Sequence, residues 1–493
     1  MTKPAGIKRL NDRLARNWAK VGTRYLPFAD AATAELPLGK LLRLSLFQVT
    51  VGMAVVLLIG TLNRVMIVEL GVPAWLVAVM VSLPLVFAPF RALVGFRSDT
   101  HRSVLGWCRV PYIWMGTLLQ FGGLAIMPFA LLVLSGDTHG PIWIGQAGAG
   151  LAFLLVGAGL HTTQTVGLAL ATDLAPAESH PRVVALLCMM LLLGMIVSAL
   201  VFGSLLAHFS EIRLIQVIQG TALATMALNL VALWKQEVRD PTRTAPNRQQ
   251  PSFAQAWQSF AQNTPDGRPV RRLVALGLGT VAFSMQDVLL EPYGGQVLHL
   301  AVGTTTGLTA LLATGGLCGF GLAARLLGQG ADPYRLAGFG ALAGLLAFSA
   351  VIFAAPLQSL ALFAIGTSLI GFGAGLFGHC TLTAAMSTAR KGQIGLALGI
   401  WGAVQASAAG SAVAAGGLIR DGVGSLAENG LLGQALAARA TGYSVVYHIE
   451  IAMLFATLIA IGPLVRITPS NRPVAPSTQA PQFGFVEVSR SHS

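Results

Sequence analysis

A chain of 493 residues is long enough for about three soluble domains, yet 54% of it is hydrophobic and only 10% is Asp, Glu, Lys or Arg, where soluble globular proteins carry about 25% charged residues. Composition therefore excludes a soluble architecture. The formal net charge of +13 invites a nucleic-acid reading, but the placement of the basic residues along the chain explains it without one.

Residues 1–43 come first, and IKRLNDRLARNWAKVGTRY sets Ile7, Leu10, Leu14, Trp18, Val21 and Tyr25 along one helical face among Lys8, Arg9, Arg13, Arg16, Lys20 and Arg24. Such a segment suits a cytoplasmic helix lying on an anionic membrane surface, with a plain solvated arm as the alternative. The apolar region begins too late for a secretory signal peptide.

Apolar stretches of bilayer-crossing length then recur at 44–68, 73–96, 110–134, 142–171, 182–208 and 212–234, and again at 273–298, 304–327, 335–355, 358–387, 393–419 and 443–466, each longer than the roughly 18 residues a spanning helix needs. The expected architecture is all-α and integral to the membrane, with twelve transmembrane helices. A first half at 44–235 and a second at 272–466 are separated by a polar, Pro-rich cytoplasmic linker at 236–271 and followed by a disordered cytoplasmic tail at 467–493. Gly315 with Gly319 and Gly371 with Gly375 are small-xxx-small pairs that let helices approach closely.

Of the 32 Lys and Arg, all but Arg64, Arg213, Arg420 and Arg439 fall before the first span, in even-numbered connections or in the tail. The positive-inside rule then places both termini in the cytoplasm. Cys108, Cys188, Cys318 and Cys380 lie far apart without metal-ligand spacing and read as membrane-buried thiols.

The halves carry traces of each other: GAGLHTTQT (157–165) parallels GAGLFGHCT (373–381), and LGVPAW (70–75) parallels LAVGTT (300–305). Parallel six-helix repeats are the arrangement of the major facilitator superfamily fold. GFRSDTHRSVLGWCR (95–109) resembles that superfamily's cytoplasmic turn, with Gly95, Asp99, Arg102 and Arg109 at matching positions and Thr100 where a basic residue is usual. An Asp there can cap a helix and pair with Arg, a conformational latch or a simple anchor.

Polar residues inside apolar spans carry the functional candidates. In SMQDVLLEPYGG (284–295), Asp287 and Glu291 stand four apart, which puts both on one side of a helix with Gln286 beside them, and Pro292, Gly294 and Gly295 then disturb or end it. An ion pair with Arg64, proton coupling and ligand contact are the three readings of the carboxylates. Asn63, Arg64 and Glu69 form the matching group in the first half. Gln48, Gln120 and Gln164 are single amides suited to bridging helices or binding. His161 and His379 flank the shared repeat; a neutral imidazole in lipid can ligate the magnesium of a chlorin, hydrogen-bond across helices or carry a proton. No catalytic triad, P-loop or zinc-ligand spacing occurs, so no enzyme activity is expected.

The stretch 45–123, with FRALVGFRSDTHRS, and the segment QDVLLEPYGGQVLHLAVGTTTGLTAL (286–311) resemble the PucC/LhaA family of bacterial photosynthetic proteins, over about residues 26–466. RYLPFADAATAELPL resembles the LhaA branch more than PucC. The resemblance implies a major facilitator fold in the bacterial inner or intracytoplasmic photosynthetic membrane. It further implies a role in assembling light-harvesting antenna: handing over bacteriochlorophyll, chaperoning antenna polypeptides, or both. The LhaA branch implies light-harvesting 1 around the reaction centre; PucC implies light-harvesting 2. Expected partners are antenna α/β polypeptides, the reaction-centre core, pigment-synthesis or insertion machinery, and lipid; carotenoid or lipid are further cavity occupants. A proton-coupled small-solute transporter using Asp287 and Glu291 is the competing reading from a different class.

Overall fold

The computed structural model describes residues 33, 36–86, 91, 94, 97–98, 107–135, 141–176, 179–237, 269–388 and 394–465. The amphipathic reading of residues 7–25, most of the linker and the tail fall outside them. Regular structure among the described residues is helical throughout.

The first half consists of α1 (Leu38–Glu69), α2 (Ala74–Val86), α3 (Val110–Leu134), α4 (Ile142–Leu174), α5 (His180–Leu205) and α6 (Glu211–Leu233). In the second half, α7 is segmented into a helix Pro269–Ser284, a 3-10 turn Met285–Val288 and a short helix Leu290–Gln296. It is followed by α8 (Val302–Gly328), α9 (Pro333–Ala354), α10 (Leu360–Thr388), α11 (Ile394–Glu428) and α12 (Ala440–Ile461). Eleven described helices are long and apolar enough to cross a membrane, and α2 supplies a shorter apolar one, resumed by helical Arg91, Val94, Arg97 and Ser98. Twelve expected spans thus meet twelve helices.

Packing repeats with a shift of six. In the first half α3 packs on α4 and α6, α1 on α5 and α6, and α2 on α4; in the second, α9 packs on α10 and α12, α7 on α11 and α12, and α8 on α10. The halves meet where α2 crosses α11 and α5 crosses α8, pairs that exchange under the same shift. This is the two-halved major facilitator fold.

Lipid offers apolar side chains no hydrophobic reward for meeting each other, so close backbone packing must hold the bundle. Gly315 and Gly371, picked out from spacing, supply it: a Cβ on Gly315 would strike the Ser368 carbonyl, and one on Gly371 the Leu312 carbonyl. Between the halves, Gly203 of α5 and Gly303 of α8 meet main chain to main chain, a Cβ on Gly303 lying 2.6 Å from the Gly203 carbonyl oxygen. The cysteines are free thiols; Cys380 is buried and Cys318 exposed on the helix surface.

Candidate functional site

The site is organised by the irregular middle of α7. Proline lacks an N–H and crowds the carbonyl four residues before it, so helix distortion falls in the preceding turn. Here the α-helix stops at Ser284, tightens to 3-10 over Met285–Val288 and restarts at Leu290, with Pro292 in the new first turn. The disturbance therefore lies before Pro292, not after it as the sequence suggested, and Gly294 and Gly295 sit inside the restarted helix. Buried main-chain groups released by such a break need partners. The Val288 carbonyl, which Pro292 cannot serve, accepts from Asn63 Nδ2 of α1 at 2.8 Å. The Gln286 N–H donates to Glu450 Oε1 of α12 at 2.7 Å.

Because 3-10 winding advances each residue further around the axis than α-winding, Asp287 and Glu291 do not share a face. Asp287 accepts from Gln286 Nε2 at 2.6 Å and lines a cavity of about 170 Å³ within the second half, beside Thr280, Ser284, Trp401 and Gln405. Glu291 is buried and points at α1, accepting from the Thr309 hydroxyl of α8. Gly60 makes room for it: a Cβ there would lie 2.5 Å from Glu291 Oε1.

The ion pair of Arg64 with Asp287 or Glu291 is not formed. Arg64 pairs with Glu69, five residues on in a stretch of α1 that winds as a π-helix from Val65 to Glu69, and its Nη2 donates to the Leu300 carbonyl at 3.0 Å. The wide turn brings residue i+5 under residue i, which is why the shorter local contact wins over the cross-helix one. Arg64, paired with Glu69, holds the α7–α8 turn through Leu300, and Asn63 separately holds α7 through Val288.

The same end of the bundle holds a second clasp that the sequence left unseen. Gln296 Oε1 accepts from Arg420 and from the Tyr443 hydroxyl, the latter at 2.8 Å, and the Arg420 guanidinium lies 4.7 Å from the Tyr443 ring centroid. Arg420 also pairs with Asp421, whose Oδ2 accepts the Trp75 N–H at 2.7 Å. A carboxylate of the second half thereby caps the N-terminus of α2 in the first.

On α4, Gln164 Oε1 accepts from Arg91 Nη2 at 3.1 Å and Thr165 Oγ1 from Arg91 Nε at 3.0 Å. Arg91, counted from sequence as a cytoplasmic turn residue, is instead packed against α4. His161 precedes Gln164 by one turn, and its buried Nδ1 has no partner. His379 of α10 is equally without a partner at Nδ1 and rests on Phe320, ring centroids 4.0 Å apart. Among the described residues neither histidine hydrogen-bonds to the α7 group, although Gly378, next to His379, lines the Asp287 cavity. Gln120 bridges α3 to α4 through Thr163 at 3.1 Å, whereas both side-chain polar atoms of buried Gln48 lack partners.

Of the cytoplasmic-turn candidates, Gly95, Asp99 and Arg102 lie outside the described residues. Arg109 is buried, donating to Asp173 Oδ2 of α4 at 3.1 Å and to Ser98 Oγ at 2.6 Å. Glu237, after α6, accepts the N–H groups of Cys108, Arg109 and Val110 at 2.8–3.1 Å, capping α3.

Besides that second clasp, sequence reasoning passed over Glu450 and Glu237 and placed Arg91 in a turn. Glu450 was findable as the single carboxylate of the twelfth span, in VVYHIEIAML (445–454), by the same rule that singled out Asp287.

The family model described as PUCC protein matches residues 61–468. Protein PucC of Rhodovulum sulfidophilum is 59% identical over 423 residues, covering 85% of this chain and 92% of that one. An uncharacterized protein encoded in the puhA-bchM intergenic region of Rhodobacter capsulatus is 54% identical over 483 residues, covering 97% and 98%. Among solved structures, the nucleoside transporter NupG superposes with a TM-score of 0.61 at 13% identity, covering 86% of this chain and 99% of that chain, a likeness of fold alone. With a family match and full-length relatives on one side and the twelve-helix bundle on the other, the chain belongs to the PucC family.

Proposed function

We propose that this protein is a membrane-embedded assembly factor for light-harvesting antenna, with the light-harvesting 1 complex around the reaction centre as its client and bacteriochlorophyll as its cargo. The observation that carries the pigment reading is the pair of imidazoles, His161 on α4 and His379 on α10, each with a buried Nδ1 that has no partner. A neutral imidazole nitrogen at His161 or His379 would hold a chlorin through its magnesium.

Size supports lateral presentation over enclosure. The cavity at Asp287, about 170 Å³, is smaller than the roughly 300–1,000 Å³ of sites that enclose drug-sized ligands, and a phytylated macrocycle is larger still. Such a pigment, already soluble in lipid, gains from being shielded, oriented and handed to an antenna helix at a groove open to the bilayer. The near-complete collinearity with the Rhodobacter capsulatus protein, 97% of this chain, supports a client shared with that relative. The higher identity to Rhodovulum sulfidophilum PucC, 59%, favours light-harvesting 2 as the second reading.

Protein purified in mild detergent from a pigment-making host, with antenna polypeptides removed, should show a near-infrared bacteriochlorophyll band stoichiometric with protein. Deleting the gene should deplete light-harvesting 1 before light-harvesting 2; the reverse order selects the PucC-type client. Colourless, folded protein that dissipates a proton gradient on adding a small solute, and stops doing so with Asp287→Asn or Glu291→Gln, would replace both readings with proton-coupled transport.

A further inference from the structure

Arg91 presents a charge imbalance that antenna assembly does not explain. Its guanidinium is held from two sides by neutral acceptors, Thr165 Oγ1 at 3.0 Å and Gln164 Oε1 at 3.1 Å, and among the described residues it makes no ion pair. Two neutral acceptors orient a guanidinium without neutralising it, and even a half-buried cation in an apolar bundle is costly without a counter-ion. The fork of N–H groups has donors to spare beyond these two bonds.

The surroundings fit a ligand. α4 is 33 residues long, about 50 Å at 1.5 Å per residue, and Gln164 and Thr165 lie well inside it rather than at its end. His161, one turn earlier on the same face of α4 as Gln164 and Thr165, keeps a buried Nδ1 without a partner. At Gly157 another turn back, α4 packs directly on Pro84 of α2, which joins α2 and α4 closely beside the cluster.

We infer that Arg91, with Gln164, Thr165 and His161, forms an oxyanion-binding site inside the first half, built for the carboxylate or phosphate head of an amphiphile whose apolar part lies along the helices. Guanidinium recognises both groups through paired N–H bonds. The inference shares His161 with the pigment reading but rests on Arg91 and its contacts to Gln164 and Thr165, and it is tested without pigment.

Native mass spectrometry of the full chain in detergent would compare laurate with methyl laurate, and dioleoyl phosphatidylglycerol with dioleoylglycerol. In at least one pair the charged amphiphile should bind ten times more tightly or better; a response to laurate alone identifies a carboxylate ligand, and a response to phosphatidylglycerol identifies a lipid phosphate. Gln164→Glu places a carboxylate against Arg91, so it should abolish the preference while raising the thermal midpoint, which separates lost binding from lost folding. Arg91→Gln should also abolish it, and Arg91→Lys should retain part of it. Equal binding within both pairs by the unaltered protein, or a preference that survives Gln164→Glu, overturns the site.

Discussion

Asn63 of α1 donates to the main-chain carbonyl of Val288 in α7 at 2.8 Å, and Val288 stands four residues before Pro292, the one residue type with no N–H to offer it. The first half of the bundle thus completes a hydrogen bond that the second half cannot make for itself. Asn63→Ala should lower stability by about 1–3 kcal/mol, the range for stranding a buried polar group. In a Pro292→Ala background the new N–H at 292 can serve Val288, so the same substitution should cost measurably less. Thermal or denaturant unfolding of the four proteins in one detergent, read as a double-mutant cycle, gives the coupling.

Glu450 acts on α7 as an acceptor for the Gln286 N–H at 2.7 Å. Glu450→Gln keeps an acceptor oxygen and should fold with nearly unchanged stability. Glu450→Leu removes it and should cost about 1–3 kcal/mol. Equal loss in both variants, measured by thermal midpoint, would mean that the charge and not the hydrogen bond matters.

The α8–α10 crossing should be intolerant of a single methyl group. Gly315→Ala forces Cβ into the Ser368 carbonyl, whereas at Gly321, on the same helix, nothing lies within 4 Å of the position a methyl would take. Gly321→Ala should stabilise slightly, by up to about 1 kcal/mol of helix propensity; Gly315→Ala should lower the yield of folded protein and its thermal midpoint.

Glu237 should contribute a helix cap from a distance of more than one hundred residues in sequence, since its carboxylate receives the Cys108, Arg109 and Val110 N–H groups. Glu237→Ala should cost about 1–2 kcal/mol. Hydrogen exchange should localise the loss to the first turn of α3.

If His161 or His379 ligates pigment, His161→Ala and His379→Ala should each be read against the bound near-infrared band. Loss of that band by one substitution, with the thermal midpoint of pigment-free protein unchanged, assigns the ligand. Retention in both singles and in the double variant removes histidine ligation from the proposed function.

Much of the architecture was legible because lipid makes the rules strict. Unbroken apolar runs located the spans, and the spacing of Gly315 and Gly371 marked a crossing because only a missing Cβ permits it. The directions in which polar side chains point were less legible. Asp287 and Glu291 are four apart, but their shared face assumed continuous α-winding, and the 3-10 turn before Pro292 separates them. Arg64 found Glu69 because α1 widens locally, which spacing alone does not announce. Arg91 follows an apolar run and precedes other basic residues, so sequence read it as a turn; only packing against Gln164 and Thr165 shows its depth.

The few bonds that join the halves at the α7–α8 end have an energetic reading. Asn63 to Val288, Arg64 to Leu300 and Trp75 to Asp421 are three cross-half bonds, together on the order of 3–5 kcal/mol at typical net values. A separation that broke all three, kept the remaining helix packing and gained nothing would then be populated in roughly one molecule in 10² to 10⁴. That is rare enough to keep the bundle shut at rest. It is common enough that a partner binding the parted form more than about ten-thousandfold more tightly could hold it open without any other source of energy.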